Sequence, residues 1–526
     1  MSKALHYPRY MAAFLKKHMS TLIVISIFAL VAFFHIWQLD TFPRELFIDE
    51  ASNGLNALTI SETGHDEHGN FLPLFIRSFG GHKGSVQHYI TVFVFWFFWP
   101  SPFMLLFSST VSFFLFLLGA VLLIQKLSPK NTFWVLTYTL LASGMLPWFF
   151  PISRTAFEVN AMLPVMMFAV YWIFRTFEQP GKQPVYAAAI AGTLTSLTIF
   201  TYQAGKLLGP LLAISVILLY ARPSRWKNCV AYVGACAALL IPYIFYTIEH
   251  PAANTARLQQ ISYVLSEIPL SQKIAIFISN YFKHFSFDFL LLSGDANLRH
   301  AIQYGGELLV IVWFLALLGI GSILFLRNSL YPRFRIFLLI NLFLAPIPAS
   351  LTLPYELPHA MRSIAMGIFF VLLSCIGYLV LQHLFKHKTT VVWTVVLVIL
   401  FLETNCYAYN YFWRYPEQKG FSAAWWEYGA EEALRMALER HPGKILFAGS
   451  YFANGFNYAN YEFYRRTIPR EDDPPVARID LASATATDVL NTCVIARPAE
   501  KRRIEELAPS VDLTQNRWRI RLHCFE

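Results

Sequence analysis

The stretch that decides the fold is VQHYITVFVFWFFW, residues 86–99, because the direction of every later segment depends on whether it crosses a membrane. As a helix its 14 residues would rise about 21 Å, short of the roughly 30 Å hydrocarbon core of a bilayer. Pro100-Ser101-Pro102 follows directly and stops a helix there. The segment is apolar enough to enter a bilayer but short for crossing it.

The composition places the whole chain in the membrane class. Of its 526 residues, 56% are hydrophobic and only 14% are charged, whereas soluble domains carry about 25% charged residues. The net charge of +10 comes from Lys and Arg in short loops between apolar runs, where basic residues set membrane topology. The sequence therefore predicts an α-helical polytopic membrane protein and argues against nucleic-acid binding.

Eleven other apolar runs are long enough, or nearly so, to span a membrane as helices. They cover about residues 19–38, 103–125, 131–150, 159–177, 185–203, 206–221, 228–247, 306–326, 334–350, 361–382 and 389–409. The basic flank MSKALHYPRYMAAFLKKHMS precedes the first run, and no small-residue cleavage site follows it. We expect a retained first helix with its N-terminus in the cytoplasm.

Loop charges decide how residues 86–99 lie. If this segment does not cross, the short outer loops carry only Arg154, Lys206 and Arg362. The cytoplasmic loops then hold Lys126, Lys130, Arg175, Lys182, Arg222, Arg225, Lys227, Arg327, Arg333, Arg335, Lys386 and Lys388. If it does cross, every later loop changes side and the positive-inside rule fails. We therefore predict an interfacial helix at 86–99, eleven spans and an outer C-terminus, as in a bacterial inner membrane protein.

Two regions follow from this topology. Residues 1–410 form a membrane module with outer loops at 39–85 and 248–305, and residues 411–526 form a small extracytoplasmic α/β domain. That domain has a helix-period sequence from Ser422 and strand-like runs from Ile445, Thr492 and Arg517. Cys493 and Cys524 lie in it, where export would allow them to form a disulfide.

The first outer loop holds an acidic pair close to the end of the first span, Asp49-Glu50 in LFIDEASNGLNAL. A carboxylate at the membrane surface can act as a general base, with its pKa raised by the membrane and lowered by nearby cations. The simpler alternative is that Asp49 caps a short helix, for which its residue type and position are also suitable.

Metal-ligand residue types occur together further along this loop, in His65-Asp66-Glu67-His68. Their spacing matches no zinc signature, since a helical HExxH site needs histidines four residues apart. A solvated turn between Gly64 and Gly69 explains the same residues. His65 and His68 are weak candidates for a metal site, and the sequence leaves open whether a divalent metal takes part.

Basic residues gather on the same outer side as Asp49. They are Lys83, Arg154, Lys206, Arg299, His300 and Arg362. A single arginine at a helix end usually reaches towards lipid headgroups, but several cations beside one acidic loop suit a bound phosphate. No Gly-rich nucleotide motif is present in the sequence, so a phosphate donor here would be lipid-linked.

Six motifs together resemble the GT-C superfamily of membrane glycosyltransferases. They are IDEASNGLNAL at 48–58, TGHDEHGNFLPLFIRSFGGHKG at 63–84, PWFFPISRTAFEVN at 147–160, TYQAGKLLGPLL at 201–212, FSFDFLLLSGDANLRH at 285–300 and PIPASLTLPYELPHAMRS at 346–363. Within the superfamily the chain resembles bacterial relatives of protein O-mannosyltransferases and of the aminoarabinose transferase that modifies lipid A (glycosyltransferase family 39). The resemblance covers about residues 19–410.

The resemblance implies inverting transfer of a sugar from a polyprenyl-phosphate donor to a lipid, glycan or protein acceptor on the outer face. Asp49 would be the catalytic carboxylate and Glu50 its supporting partner. The donor phosphate would be bound by Lys83, Arg154 and Arg362, and the cavity would be lined by Asp295, His300 and Lys206. This sequence departs from the family pattern at His82, before the loop lysine, and at Gly84-Ser85 after it. The arginine expected near the start of the second span is also missing.

Two other classes of protein compete with this interpretation. A transporter or flippase of lipid-linked glycans would need ionisable residues or broken helices near the membrane midplane and often shows internal repeats. Here the polar residues cluster towards one face, and no repeat is found. A plain membrane anchor for the C-terminal domain would need neither eleven spans nor a long charged first loop.

Overall fold

The computed structural model describes residues 7–42, 45–129, 132–179, 181, 183–325, 331–417, 429–440, 442–449, 458–468, 474–513 and 520–525. Within these residues the chain is mainly helical, and each of the eleven apolar runs contains a helix. Seven helices of this part are long and apolar enough to cross a membrane: Met19–Ile36, Pro102–Leu127, Glu158–Phe177, Pro223–Glu249, Pro332–Ser350, Ile364–Leu384 and Lys386–Arg414. The prediction of a polytopic helical membrane protein is confirmed.

The remaining apolar helices are shorter. Val185–Phe200, Gly205–Tyr220 and Val310–Phe325 have 10–17 residues, as does Val86–Phe97. The predicted span at 131–150 is shorter than expected, because its helix is Thr132–Gly144 and a separate short helix follows at Phe150–Ser153. Pro147 and Pro151 account for the break, since proline cannot donate the backbone hydrogen bond that continues a helix.

The helix Val86–Phe97 fits an interfacial position. Phe98 caps its C-terminus just before Pro100 and Pro102, and the helix is too short to cross a hydrocarbon core of roughly 30 Å. Its last turn and the residues after it expose Trp96, Phe97 and Trp99, which are 66%, 67% and 78% accessible. Aromatic side chains of this kind are enriched at membrane–water interfaces.

The outer segments contact one another at one end of the helical bundle. The first outer loop contains the helix Ile48–Thr63 and an antiparallel hairpin of β1, Phe75–Ser78, and β2, Gly81–Gly84. The second contains the helices Ala252–Ile261 and Leu270–Lys283. The backbone N–H of Leu353 donates to the carbonyl of Ile261 at 2.8 Å, so the segment before the tenth span packs on this second loop.

The C-terminal region is an α/β domain, as predicted. Its described strands are β3, Lys444–Ala448; β4, Val476–Ile479; β5, Thr492–Ala496; β6, Val511–Asp512; and β7, Arg521–Cys524. They form one sheet in the order β4-β3-β5-β7-β6, parallel among β3, β4 and β5 and antiparallel at β7 and β6. The helices of the domain are Ala430–Glu439, Tyr458–Thr467, Ala486–Val489 and Lys501–Leu507. The start of the predicted helix, 422–428, and the strand ends at 450–452 and 517–519 lie outside the described residues.

The two faces of this sheet bury different neighbours. Ile445, Phe447 and Ile495 share an apolar cluster with residues of the first outer loop, including Leu55 and Leu58. Alternate residues of the same strands belong to a second cluster inside the domain. The period-2 alternation of a strand thus gives the domain one face for its own core and one face for the membrane module.

The two cysteines of the domain face each other across β5 and β7. Cys493 and Cys524 are register partners and form a disulfide, as the sequence allowed for an exported domain. We expect four of the six cysteines to react with a maleimide polymer in denatured protein, and all six after reduction. The measurement is a gel-shift count on membranes dissolved directly in denaturant that contains the maleimide polymer, so that free thiols are labelled before a disulfide can exchange. Labelling of all six without a reductant would contradict an oxidised pair.

The side of the membrane on which this domain lies can be tested with introduced cysteines, compared with the Cys406→Ser background alone. In a Cys406→Ser background, Ala486→Cys is exposed on the C-terminal domain and Ser224→Cys is exposed in a basic loop at 222–227. We expect a membrane-impermeant maleimide to label Ala486→Cys in intact spheroplasts and Ser224→Cys only after lysis. The reverse pattern would invert the predicted topology.

Candidate active site

Asp49 and Lys83 form an ion pair between two elements of the first outer loop. Asp49 lies in the first turn of the helix Ile48–Thr63, and β2 carries Lys83. The Lys83 Nζ atom donates to Asp49 Oδ1 at 2.7 Å and to Asn53 Oδ1 at 3.2 Å. Gly84 allows the hairpin to approach the bundle, because a Cβ there would lie 2.5 Å from the backbone of Thr201.

The charge of Asp49 is stabilised by this neighbourhood. Burial alone would raise the pKa of Asp49, but the charge and hydrogen bond of Lys83 outweigh it, together with the charges of Arg299 and Arg257. The pKa therefore lies below its usual value. The Asp49 side chain is still 35% exposed, so an ionised carboxylate is accessible at neutral pH.

Glu50 has a different environment. It, and not Asp49, caps the N-terminus of the helix. Its Oε2 atom accepts the N–H of Phe47, the residue before the helix, at 2.7 Å. Its Oε1 atom accepts the N–H of Ala156, also at 2.7 Å, and Asn53 Nδ2 donates to the carbonyl of the same residue at 2.9 Å. Burial raises the pKa of Glu50 to about 7. Glu50 thus joins the first outer loop to the turn after Arg154, consistent with a supporting role.

Arg154, which the sequence analysis assigned to the donor phosphate, has its donors engaged within the protein in this structure. Its guanidinium is fully buried and donates to the carbonyls of Phe34, His35, Gln38 and Phe42 and to the Tyr411 hydroxyl. The distances are 2.8, 3.1, 3.1, 2.9 and 3.2 Å respectively. These five bonds use the five N–H donors that an arginine has. Arg154 instead fixes the end of the first helix.

Arg362 and Lys206 lie further from Asp49 but on the same side. Arg362 Nη2 pairs with Glu356 Oε2 at 2.6 Å, and its Nη1 donates to Thr352 Oγ1 at 3.1 Å. Tyr202 lies within electrostatic range of both Asp49 and Arg362. Lys206 contacts the ring of Phe75 in the hairpin, with its Nζ 4.9 Å from the ring centroid. These contacts place Lys206 beside the hairpin that carries Lys83, and Arg362 beside Glu356 and Thr352.

The cations that act on Asp49 together with Lys83 are Arg299 and Arg257. Arg299 stacks on the ring of Phe47, two residues before Asp49, at 3.8 Å from the centroid. Arg257 lies on the helix Ala252–Ile261, which packs against β2. The sequence analysis included Arg299 among the cations suited to a bound phosphate, but it did not assign Arg299 to the donor phosphate individually and gave Arg257 no role. Only the packing of the second outer loop against the first reveals their positions.

Asp295 and His300, predicted to line the cavity, are buried and contact each other. His300 Nδ1 lies 2.9 Å from Asp295 Oδ2. His359, which the sequence analysis did not single out, lies 3.7 Å from the same oxygen through its Nδ1. The three residues are 2–8% exposed, so they support the wall of the site and do not form its surface.

The predicted metal candidates His65 and His68 belong to a hydrogen-bonded turn. Asp66 Oδ1 accepts the N–H groups of His68 and Asn70, both at 2.9 Å. His65 Nδ1 lies 2.9 Å from the Thr63 carbonyl, and His68 Nε2 lies 3.2 Å from the Arg77 carbonyl. Among the described residues, metal-ligand side chains converge at Asp295, His300 and His359 instead.

No family model matches the chain, and no curated protein matches it in sequence. Solved structures match its fold over nearly its whole length, ArnT and AglB among them. ArnT from Cupriavidus metallidurans, in a crystal structure with bound undecaprenyl phosphate, has a TM-score of 0.59 at 10% identity and covers 96% of this chain and 98% of its own. The oligosaccharyltransferase AglB from Archaeoglobus fulgidus, in complex with an inhibitory peptide and a dolichol-phosphate, has a TM-score of 0.51 at 11% identity and covers 94% of this chain and 71% of its own. The chain therefore shares the overall fold of ArnT and AglB, which agrees with the fold that the resemblance of its motifs implied.

Proposed function

We propose that the protein is an inverting glycosyltransferase that moves a sugar from a polyprenyl-phosphate donor to an acceptor on the outer face of a bacterial inner membrane. The observation that carries this proposal is the accessible Asp49 carboxylate, paired with Lys83 at 2.7 Å and held ionised among cations. The fold supports it, since ArnT and AglB have been solved with bound polyprenyl-type phosphates. The N-terminus would then be cytoplasmic and the C-terminal domain periplasmic.

The chemistry follows from the charges. Asp49 accepts the proton of the acceptor hydroxyl while that oxygen forms a bond to the anomeric carbon of the sugar. The bond between the anomeric carbon and the phosphate oxygen breaks on the opposite face, so the configuration inverts and the polyprenyl phosphate leaves with the bonding electrons. Negative charge grows on the phosphate during this step, and preorganised cations stabilise such charge most effectively in a site that excludes water.

Lys83, Arg299 and Arg257 are the residues we assign to the donor phosphate. Lys83 and Arg299 are largely buried against Phe79 and Phe47, which limits the hydration that would compete with a phosphate. Arg362 and Lys206 would contact the outer part of the donor. The acceptor is a lipid, a glycan or a protein, and membrane lipids surround the spans.

Replacing the proposed base should abolish transfer without unfolding the protein. We expect Asp49→Asn to lower kcat by about 10²–10⁴-fold, the usual contribution of a positioned general base. The amide still accepts a hydrogen bond from Lys83, so the fold should persist. The measurement is sugar transfer from a synthetic polyprenyl-phosphate donor in proteoliposomes. Asp40→Asn, on an exposed residue of the same loop, is the matched control, and full activity of Asp49→Asn would remove Asp49 from the mechanism.

Arg299 and Arg154 should give opposite phenotypes. Arg299→Ala should reduce kcat/KM for the donor by about 10²–10³-fold, as loss of one charge-stabilising donor does, with little change in melting temperature. Arg154→Ala should instead lower the melting temperature sharply, because four buried carbonyls lose their partner. Steady-state kinetics and thermal unfolding of the purified variants separate the two roles. Normal kinetics in Arg299→Ala would contradict its assignment.

A further inference from the structure

Three buried side chains of types that bind metals come together next to the segments that carry Arg299 and Arg362. Asp295 and His300 come from the second outer loop, and His359 comes from the segment before the tenth span. Each offers one ligand atom, and these atoms lie within 4.8 Å of one another. The residues are separated by up to 64 positions in sequence, so the fold and not local sequence brings them together.

We propose that Asp295, His300 and His359 bind a divalent cation of the zinc class. Two imidazole nitrogens and one carboxylate oxygen are ligands that zinc accepts, usually with a fourth position filled by water. Metal–ligand bonds of about 2.0–2.1 Å in a tetrahedron place the ligand atoms roughly 3.3 Å apart. The observed separations from Asp295 Oδ2, 2.9 Å to His300 Nδ1 and 3.7 Å to His359 Nδ1, lie on either side of that value.

The surroundings already hold the ligands in place. The backbone N–H of Ala360 donates to Asp295 Oδ2 at 2.8 Å, and the N–H of Asn297 donates to Asp295 Oδ1 at the same distance. His284 accepts the backbone N–H of His359 at 3.4 Å through its Nε2. Outer contacts of this kind orient metal ligands and are part of metal affinity.

The positive charge near the ligands is partly compensated. Arg362, three residues after His359 in sequence, is paired with Glu356, which reduces its repulsion of a cation.

The position of the site defines its role. His300 directly follows Arg299, and His359 precedes Arg362 by three residues. A metal held by both histidines would tie these two segments together and fix the two arginines relative to each other. The ligands are positioning residues in this scheme. Metal binding itself can be measured without transfer activity, so failure of the metal site and failure of the proposed function remain distinguishable.

The test is the metal content of purified, tag-free, full-length protein incubated with zinc and freed of unbound metal. We expect one equivalent of zinc per chain by mass spectrometry, and at most about one tenth in His359→Ala and Asp295→Asn. A double His65→Ala, His68→Ala variant controls for the other histidine-containing loop and should keep the full equivalent. A single tetrahedral cobalt absorption spectrum in the wild type, lost in His359→Ala, would support the same assignment.

A measurement on the wild type guards against variants that fail to fold. Chelation should lower its melting temperature, and zinc but not magnesium should restore it, since a ligand that binds only the folded state stabilises that state. Wild-type protein that holds no zinc and shows no zinc-dependent melting temperature would overturn the proposal. A full equivalent retained in both ligand variants would also overturn it, because the metal would then be bound elsewhere.

Discussion

The structure depends on how the first helix ends at the membrane surface. The last carbonyls of a helix have no partner within it, and leaving them unpaired in apolar surroundings is costly. Arg154 solves this by binding carbonyls of Phe34, His35, Gln38 and Phe42, while its guanidinium lies over aromatic rings. The chain therefore leaves the bundle at a fixed point and in a fixed direction, a few residues before Asp49.

The C-terminal domain completes this arrangement from the other side. Glu45 accepts the N–H of Ala430 at 2.6 Å, at the start of a helix of that domain, and burial raises the pKa of Glu45 to about 8. The Tyr464 hydroxyl accepts a hydrogen bond from the N–H of Leu46, and Asn460 Nδ2 donates one to the carbonyl of Leu46. These contacts lie three and four residues before Asp49. The domain is thus part of the framework that places the candidate base, and more than an appendage.

The sequence predicted those features that local pattern controls. Each of the apolar runs found by hydropathy contains a helix, loop charge indicated an interfacial helix at 86–99, and motif resemblance selected Asp49 and Lys83, which the structure joins. The sequence did not predict contacts between residues that are far apart in the chain. From the sequence alone, Arg154 near a helix end is interpreted as a ligand of a phosphate or a lipid headgroup. The local sequence PISRTAF does not indicate that its partners are four carbonyls more than 110 residues away. The meeting of Asp295 with His359, and of Arg299 with Phe47, is likewise a product of packing between loops.

The charges around Asp49 imply that its basicity depends on the donor. Lys83, Arg299 and Arg257 hold the carboxylate ionised and its pKa low, and a weakly basic carboxylate is a poor proton acceptor. In the proposed mechanism these cations also bind the donor phosphate, whose negative charge offsets part of their field. Burial, which alone would raise the pKa of Asp49, then acts against a weaker stabilising field, so the carboxylate would become more basic. A single group of cations would thus hold the base unreactive without donor and make it competent when the phosphate is bound.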